Sequence, residues 1–350
     1  LALLFIDGCD LYAVREDLTR RWTPSGTTIS YISVHATDGR FGGGVIKLAG
    51  ANPSHITRII PARQAMILGF ARLFDRSDQP TEQSLIVLRD EGGTQVAIRL
   101  DIGAGVYRAY RGLGTTLLAA SAPDAESAAR NQWHWIELMV RVDPVNGRVE
   151  FRRNGTTLLA FDGDTQGSNT SMISRVQLLD LRQTSSNRVD LWVDDVVIAD
   201  DLGGVNDDFL GDLRISTLVP TADSGQKDRT SDSASDNFSR VAEIAPDDDT
   251  SYVASATSGA RDLYTIAPLG VTPLAIKGLQ HTTLARKDDA GDRALSLGLK
   301  SGTEVAVGPA AVLGSTYSFV ETMHEQDPAT GEPWTPAAID SVQAGMEVAP

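Results

Sequence analysis

Trp133-His134-Trp135-Ile136-Glu137-Leu138-Met139-Val140-Arg141-Val142 decides the fold class, because Ile136, Leu138, Val140 and Val142 alternate with mixed residues. A side-chain period of two marks a strand with one buried face. Asp143-Pro144-Val145-Asn146-Gly147 follows as turn chemistry: proline fixes φ, and Asn-Gly supplies the positive φ of a tight reversal. The chain returns through residues 148–153, with Val149 and Phe151 on one face and charges on the other, and Asn154-Gly155 turns it again into residues 156–161. A last alternating run at 189–198 closes the unit. Antiparallel hairpins with one wet and one dry face build a sandwich. The expectation is an all-β chain, with a concanavalin-like jelly roll as its first part.

The strands on either side fit that frame. Leu1-Ala2-Leu3-Leu4-Phe5-Ile6 lacks a basic leader and runs into Asp7-Gly8, so it is read as a first strand and not as a signal peptide. Phe41-Gly42-Gly43-Gly44 feeds a short strand; no Gly-Lys-Ser/Thr follows, so the glycines suit a bulge or close backbone approach better than a phosphate cradle. Residues 65–74 form a dense apolar run, fit for a strand buried on both faces, and residues 85–100 form a hairpin across Asp90-Glu91-Gly92-Gly93. Residues 121–130 give the one helical turn of the first half. Turn chemistry at 202–208 places a boundary there: a laminin-G/concanavalin-like sandwich over 1–205, and a smaller β-rich domain over 206–350 with a polar loop at about 222–236. One short C-terminal helix is signalled by Thr335 as N-cap, Pro336 at the first position and Gly345 as the stop.

Across 350 residues the formal charge is −15. That disfavours nucleic acid, whose phosphates need clustered Lys and Arg, and an anionic membrane surface; no window approaches the apolar length of a membrane span. The single cysteine, Cys9, excludes an internal disulfide and any multi-cysteine zinc site, and suits a small core position.

Enzyme templates find no match. His35, His55, His134, His281 and His324 stand singly, and there is no His-Glu-x-x-His and no Gly-x-Ser-x-Gly. Glycosidases need two carboxylates flanking one bond; Asp190, Asp194 and Asp195 are the nearest approach. Calcium takes six to eight oxygens, and of several acidic clusters Asp247-Asp248-Asp249 is the best candidate, although without the Asp-x-Asp-x-Asp-Gly spacing. Trp133, Trp135 and Trp192, with Trp334, are the aromatics that could stack on sugar rings; a strand tryptophan also serves as core.

The ordered set of Leu3-Leu4-Phe5-Ile6-Asp7-Gly8, Gly39-Arg40-Phe41-Gly42-Gly43, residues 133–142 with their hairpin, and Val193-Asp194-Asp195-Val196-Val197 resembles the laminin-G/concanavalin-like domain of tailed-bacteriophage virion proteins. Asn206-Asp207-Asp208-Phe209-Leu210-Gly211-Asp212, Pro246-Asp247-Asp248-Asp249-Thr250 and Asp327-Pro328-Ala329-Thr330-Gly331 continue the likeness. The resemblance implies a non-enzymatic structural component of a phage particle (tail fibre, tail tip or head decoration), assembled in the bacterial host cytoplasm. Its partners would be copies of itself, other virion proteins and host-surface carbohydrate, with no cofactor beyond a possible calcium. It carries over no catalytic residue. A polysaccharide-degrading enzyme or a free carbohydrate-binding module on the same sandwich is the alternative.

Overall fold

The alternation at 136–142 puts Ile136, Leu138 and Val140 into a buried cluster and leaves Glu137 and Met139 on the opposite face of their strand. The structure, a computed structural model, describes residues 2–26, 31–49, 54–77, 82–114, 116–180, 189–233 and 236–349. The chain divides into two units, Leu1–Ile215 and Ser216–Pro350.

In chain order the first unit runs β1 (Leu3–Asp7), α1 (Arg15–Leu18), β2 (Thr23–Gly26), β3 (Ile32–His35), β4 (Val45–Ala49), β5 (Ser54–Arg63), β6 (Ala65–Ser77) and β7 (Glu82–Arg89). It continues with β8 (Thr94–Asp101), β9 (Val106–Arg111), β10 (Thr116–Ala120), β11 (His134–Arg141), β12 (Gly147–Arg153), β13 (Thr156–Gly163), β14 (Ile173–Asp180) and β15 (Val189–Ala199). The front sheet has the order β13-β12-β11-β6-β15-β4-β3, with β1 also on β15; the back sheet has the order β10-β9-β8-β7-β14-β5-β2. Every described ladder is antiparallel, and the fold is a jelly-roll sandwich.

Between the sheets, Ile136, Leu138, Val140, Val149 and Phe151 share one core with Ile86, Leu88, Val96, Ile98, Val176 and Leu178. Each such side chain contributes about 1.5–3 kcal/mol by leaving water. The dense run at 65–74 is the centre of the front sheet, between β11 and β15. Both its faces are closed: Ile67 and Ala71, which point away from the core, are buried as well. Gly69 is needed there, since a Cβ would come within 2.7 Å of the Trp135 ring.

Asn154-Gly155 forms the tight turn its sequence predicts, both residues having positive φ (49° and 78°). Gly147 has a different reason. Its φ is not positive; a Cβ would lie 2.0 Å from Thr165 Oγ1. The Asp143 carboxylate closes that turn instead, accepting from Val145 N and Asn146 N at 2.8 and 2.7 Å. Gly44 meets the expected close approach: a Cβ there would lie 2.1 Å from the Cys9 carbonyl oxygen. Cys9 is buried and unpaired by disulfide, as a small core residue. Its thiol is pushed up by burial and by the acids around it.

The boundary falls after Ile215, later than the turn at 202–208 suggested, because the intervening segment is fastened to the outer side of the front sheet. Gly211 N donates to Glu137 Oε1 at 2.9 Å, and the Arg152 guanidinium covers the Phe209 ring at 3.6 Å. Arg40 grips both oxygens of Asp212 at 2.7 Å, and Ile215 N donates to Asp195 Oδ1 at 2.7 Å.

The second unit comprises β16 (Pro220–Lys227), β17 (Thr230–Ser231), β18 (Val253–Ala254), β19 (Arg261–Ile266), β20 (Leu279–Ala285), β21 (Ala294–Ser301), β22 (Glu304–Val307), β23 (Ala311–Val312), β24 (Ser318–His324), α2 (Pro336–Ser341) and β25 (Gln343–Val348). Its main sheet is β16-β19-β25-β21-β22, with β23 also on β21. The expected loop at 222–236 begins as strand: β16 pairs β19, and Asp223 pins it by accepting from Phe238 N at 2.7 Å. The helix begins as expected, with Thr335 Oγ1 accepting from Ala338 N at 3.2 Å. Gly345 does not stop it. That residue is mid-strand in β25, where a Cβ would meet the Asp262 carbonyl oxygen at 1.9 Å. The helical turn at 121–130 is a single 3-10 turn, Ala125–Ala128, capped by Asp124. No described helix is long and apolar enough to cross a membrane.

Candidate functional site

The back sheet turns one face to the core and the other outward. On β7 the core takes Ile86 and Leu88, which leaves Val87 and Arg89 outward; on β14 it takes Val176 and Leu178, which leaves Arg175 and Gln177 outward. On β8 and β9, Val96, Ile98, Tyr107 and Ala109 face in, so Ala97, Arg99, Arg108 and Tyr110 face out. Register then sets these residues in cross-strand rows. Arg175 is directly opposite Arg89; Gln177, Val87, Ala97 and Tyr110 form the next row; Ser84, Arg99 and Arg108 form a third. Rows two residues apart along a strand are separated by about 7 Å. The result is a floor of small or uncharged side chains with guanidinium groups at both ends.

The two ends differ in charge balance. Around β9, Glu82 Oε1 accepts from Arg108 Nη1 at 2.9 Å and from the Tyr110 hydroxyl at 3.0 Å, while Glu82 Oε2 accepts from Arg99 Nη1 at 3.4 Å. Asp101 adds a second contact to Arg108 at 3.2 Å. Burial, then the bond to Glu82, pushes the Tyr110 phenol up, so it keeps its proton at neutral pH. At the other end Arg175 pairs with Glu91 at 2.7 Å, and the Glu91 side chain is 81% exposed. Such an exposed pair is worth under about 1 kcal/mol and is readily exchanged. Arg89 is half-buried and has no hydrogen bond, acid or ring partner among the described residues. Like charges directly opposite in a ladder destabilise it. A chain with 46 acids against 31 Lys and Arg thus leaves a guanidinium uncompensated beside a second one.

Chemically, two guanidinium groups beside the Gln177 amide can hold a carboxylate in the planar, two-toothed manner to which arginine is suited. The neutral row between them, Gln177, Val87 and Ala97, is buried at the base of that face.

No family model matches the chain, and no curated protein matches it. Among solved structures, an endo-β-1,4-glucuronan lyase from the fungus Trichoderma reesei aligns with TM-score 0.41 and 14% identity, over 56% of this chain and 94% of that one. The alginate lyase Aly36B aligns with TM-score 0.41 and 13% identity, over 56% and 96%. The catalytic domain of a glycoside hydrolase family 131 protein from Coprinopsis cinerea aligns with TM-score 0.40 and 13% identity, over 59% and 96%. Likeness at this level speaks to the sandwich fold alone. The expectation of a non-enzymatic phage-particle component is corrected here: the sandwiches that align include polysaccharide lyases, a hydrolase and the binding domain of a mosquitocidal protein, and no comparison points to a virion.

The residues singled out in the sequence lie elsewhere. Trp135 is fully buried over Gly69 and offers no face to a sugar. Trp192 is half-buried on the front sheet, with the His35 ring at 4.7 Å and Lys47 Nζ at 4.8 Å. Trp133 is half-buried just before β11. Trp334 is buried in the second unit, donating from Nε1 to the His324 carbonyl oxygen at 3.0 Å. Asp194 and Asp195 are a buried fastening: Asp194 Oδ2 accepts from Arg40 N at 2.8 Å, and Asp195 holds Ile215. Burial raises both, Asp194 to about 6 and Asp195 to about 7, the latter also through Asp194's charge.

In the acidic triplet, Asp247 accepts from Ser251 N at 3.1 Å, and Asp249 accepts from Arg286 and the Tyr317 hydroxyl at 2.8 Å each. Asp248 takes positive φ in the same turn. Among the described residues no group of three or more His, Cys, Asp or Glu is gathered for a metal. Part of the signal that marks the back-sheet face was present in the sequence: Arg99, Arg108 and Arg175 each stand next to core residues of a strand, where charge favours an outward place, whereas Arg89 ends the unbroken apolar run 85–88.

Proposed function

We propose that the sandwich takes a carboxylate-bearing polysaccharide along the outward face of its back sheet and acts on it there. The observation that carries this reading is Arg89, a guanidinium without partner among the described residues, set directly opposite Arg175. Two such groups repel each other unless an anion lies between them. A uronate carboxylate fits that demand, and Glu91 marks the place a ligand carboxylate can take over at Arg175. Gln177 supplies an uncharged amide in the adjacent row.

The reaction class such a face can serve is eliminative cleavage. Neutralising a uronate carboxylate makes the neighbouring carbon acid easier to deprotonate, and interactions that strengthen as charge develops are those that accelerate a reaction. Elimination needs a base for that proton and an acid for the departing glycosidic oxygen; for a sugar unit over β9 the Glu82 carboxylate would take the proton and the Tyr110 hydroxyl, 3.0 Å from it, would protonate the leaving oxygen.

Affinity electrophoresis through gels carrying a polyuronate or a neutral glucan tests recognition. Ultraviolet absorbance of the unsaturated sugar end, followed over time, tests cleavage. Retardation by the polyuronate, lost at high salt and absent with neutral glucan, is expected. Equal migration in both gels overturns the reading.

A further inference from the structure

Arg72 lies on the core-facing side of β6, in step with Met66, Leu68, Phe70 and Phe74, and is wholly buried. Its Nη2 donates to the Tyr107 hydroxyl and to the Ser127 carbonyl oxygen, both at 2.7 Å. Its Nε and Nη1 are buried without a partner. No described carboxylate pairs with it; the Phe74 ring, 4.3 Å from the guanidinium carbon, is its nearest electrostatic support.

Directly opposite, in register on β11, stands His134, also buried. Its Nδ1 lies 3.2 Å from the Asn154 side-chain amide nitrogen. An amide nitrogen only donates, so Nδ1 is the acceptor and the neutral ring carries its hydrogen on Nε2. That Nε2 is likewise buried and unpartnered. Burial, with the charges of Arg72 and Arg153 adding to it, lowers the imidazole to about 4, which keeps the ring neutral. The acid that acts on it, Asp124, is already engaged by Arg153 Nη2 at 2.5 Å.

Three orphan groups thus occupy one face of two neighbouring strands, all are donors, and one fixed positive charge goes with them. Each unpaired buried donor lowers stability, and a buried unpaired charge lowers it further. A water molecule would satisfy donors but leave the charge. We infer that Arg72 and His134 form an internal binding site for a small monovalent anion, of the size of chloride, which completes the core of the sandwich. One fixed charge calls for one negative charge, and the complete burial of both side chains calls for a small ion.

The test uses the full chain at fixed pH and ionic strength, exchanging gluconate for chloride or bromide. The unfolding midpoint of the first unit is expected to climb about 3–5 °C for each tenfold rise in halide above its Kd. Arg72→Met is expected to remove that dependence. Bromide crystals of the unaltered protein provide a reading that needs no variant: an anomalous peak within hydrogen-bond distance of Arg72 and His134 is expected. A water at that position, together with a midpoint indifferent to the halide, overturns the inference.

Discussion

Replacing Asp195 with asparagine removes a charge that the fold holds at a cost. Asp195 is 2% exposed, and burial is the first cause that lifts it from an ordinary 3.8 to about 7, with the Asp194 charge second. Arg40, whose Nη1 is 3.8 Å away, and the Ile215 N–H oppose that rise without cancelling it. An acid raised on folding binds its proton more tightly in the native state. Stability at this group is therefore full below the unfolded value near 4 and is lost as pH climbs to about 7. The difference converts to an upper bound of about 4 kcal/mol, and relaxation around the charge brings the expectation to about 2–4 kcal/mol. Asparagine keeps an oxygen to accept from Ile215 N and carries no charge. Asp195→Asn and the unaltered protein should unfold alike near pH 3.5, and the variant should be the more stable at pH 8, by roughly 5–10 °C in midpoint. Thermal unfolding followed by tryptophan fluorescence at both pH values measures this. A variant less stable at pH 8 would refute the reasoning, because the pairing with Arg40 would then outweigh the burial of the carboxylate.

Other consequences are equally specific. Thr335→Ala removes the one side-chain cap of α2 and should lower stability of the second unit by about 1 kcal/mol, read from denaturant unfolding. Gly345→Ala sets a methyl group 1.9 Å from the Asp262 carbonyl oxygen, so the β19–β25 ladder must part; a loss of about 3 kcal/mol or more is expected by the same measurement. Arg40→Ala removes the two-toothed grip on Asp212 and should speed tryptic cleavage after Arg214, with no change in cutting if the segment is held by other contacts.

The all-β class was legible because a period of two needs only local sequence: Ile136, Leu138 and Val140 declare their face without reference to any partner. Asn154-Gly155 was legible for the same reason, since positive φ is a property of the turn itself. Gly147 and Gly345 were not, because what forbids a side chain there is the Thr165 hydroxyl in one case and the Asp262 carbonyl in the other. The candidate site was legible only in halves. Charge favours an outward place for an arginine, yet the meeting of Arg89 with Arg175 depends on the β7–β14 register between residues far apart in the chain. Between sugar platform and core, the sequence leaves Trp135 open for a related reason: alternation places it on the outward face, and only the packing of Gly69 and the buried neighbours of β6 shows that face to be closed. Arg72 sits in a run of apolar residues where nothing in the sequence tells of the missing acid.

The account turns on the Arg89–Arg175 pair, and Arg89→Glu separates its use in binding from any use in folding. Arg89 supports no described contact, and a glutamate opposite Arg175 makes a favourable cross-strand pair, so stability should hold or rise by about 0.2–1 kcal/mol. Affinity for a soluble polyuronate, measured by titration calorimetry at low salt, should fall at least about tenfold as one attractive charge becomes a repulsive one. A variant that folds as well as the original and binds the polyuronate equally tightly would contradict the assignment of this face.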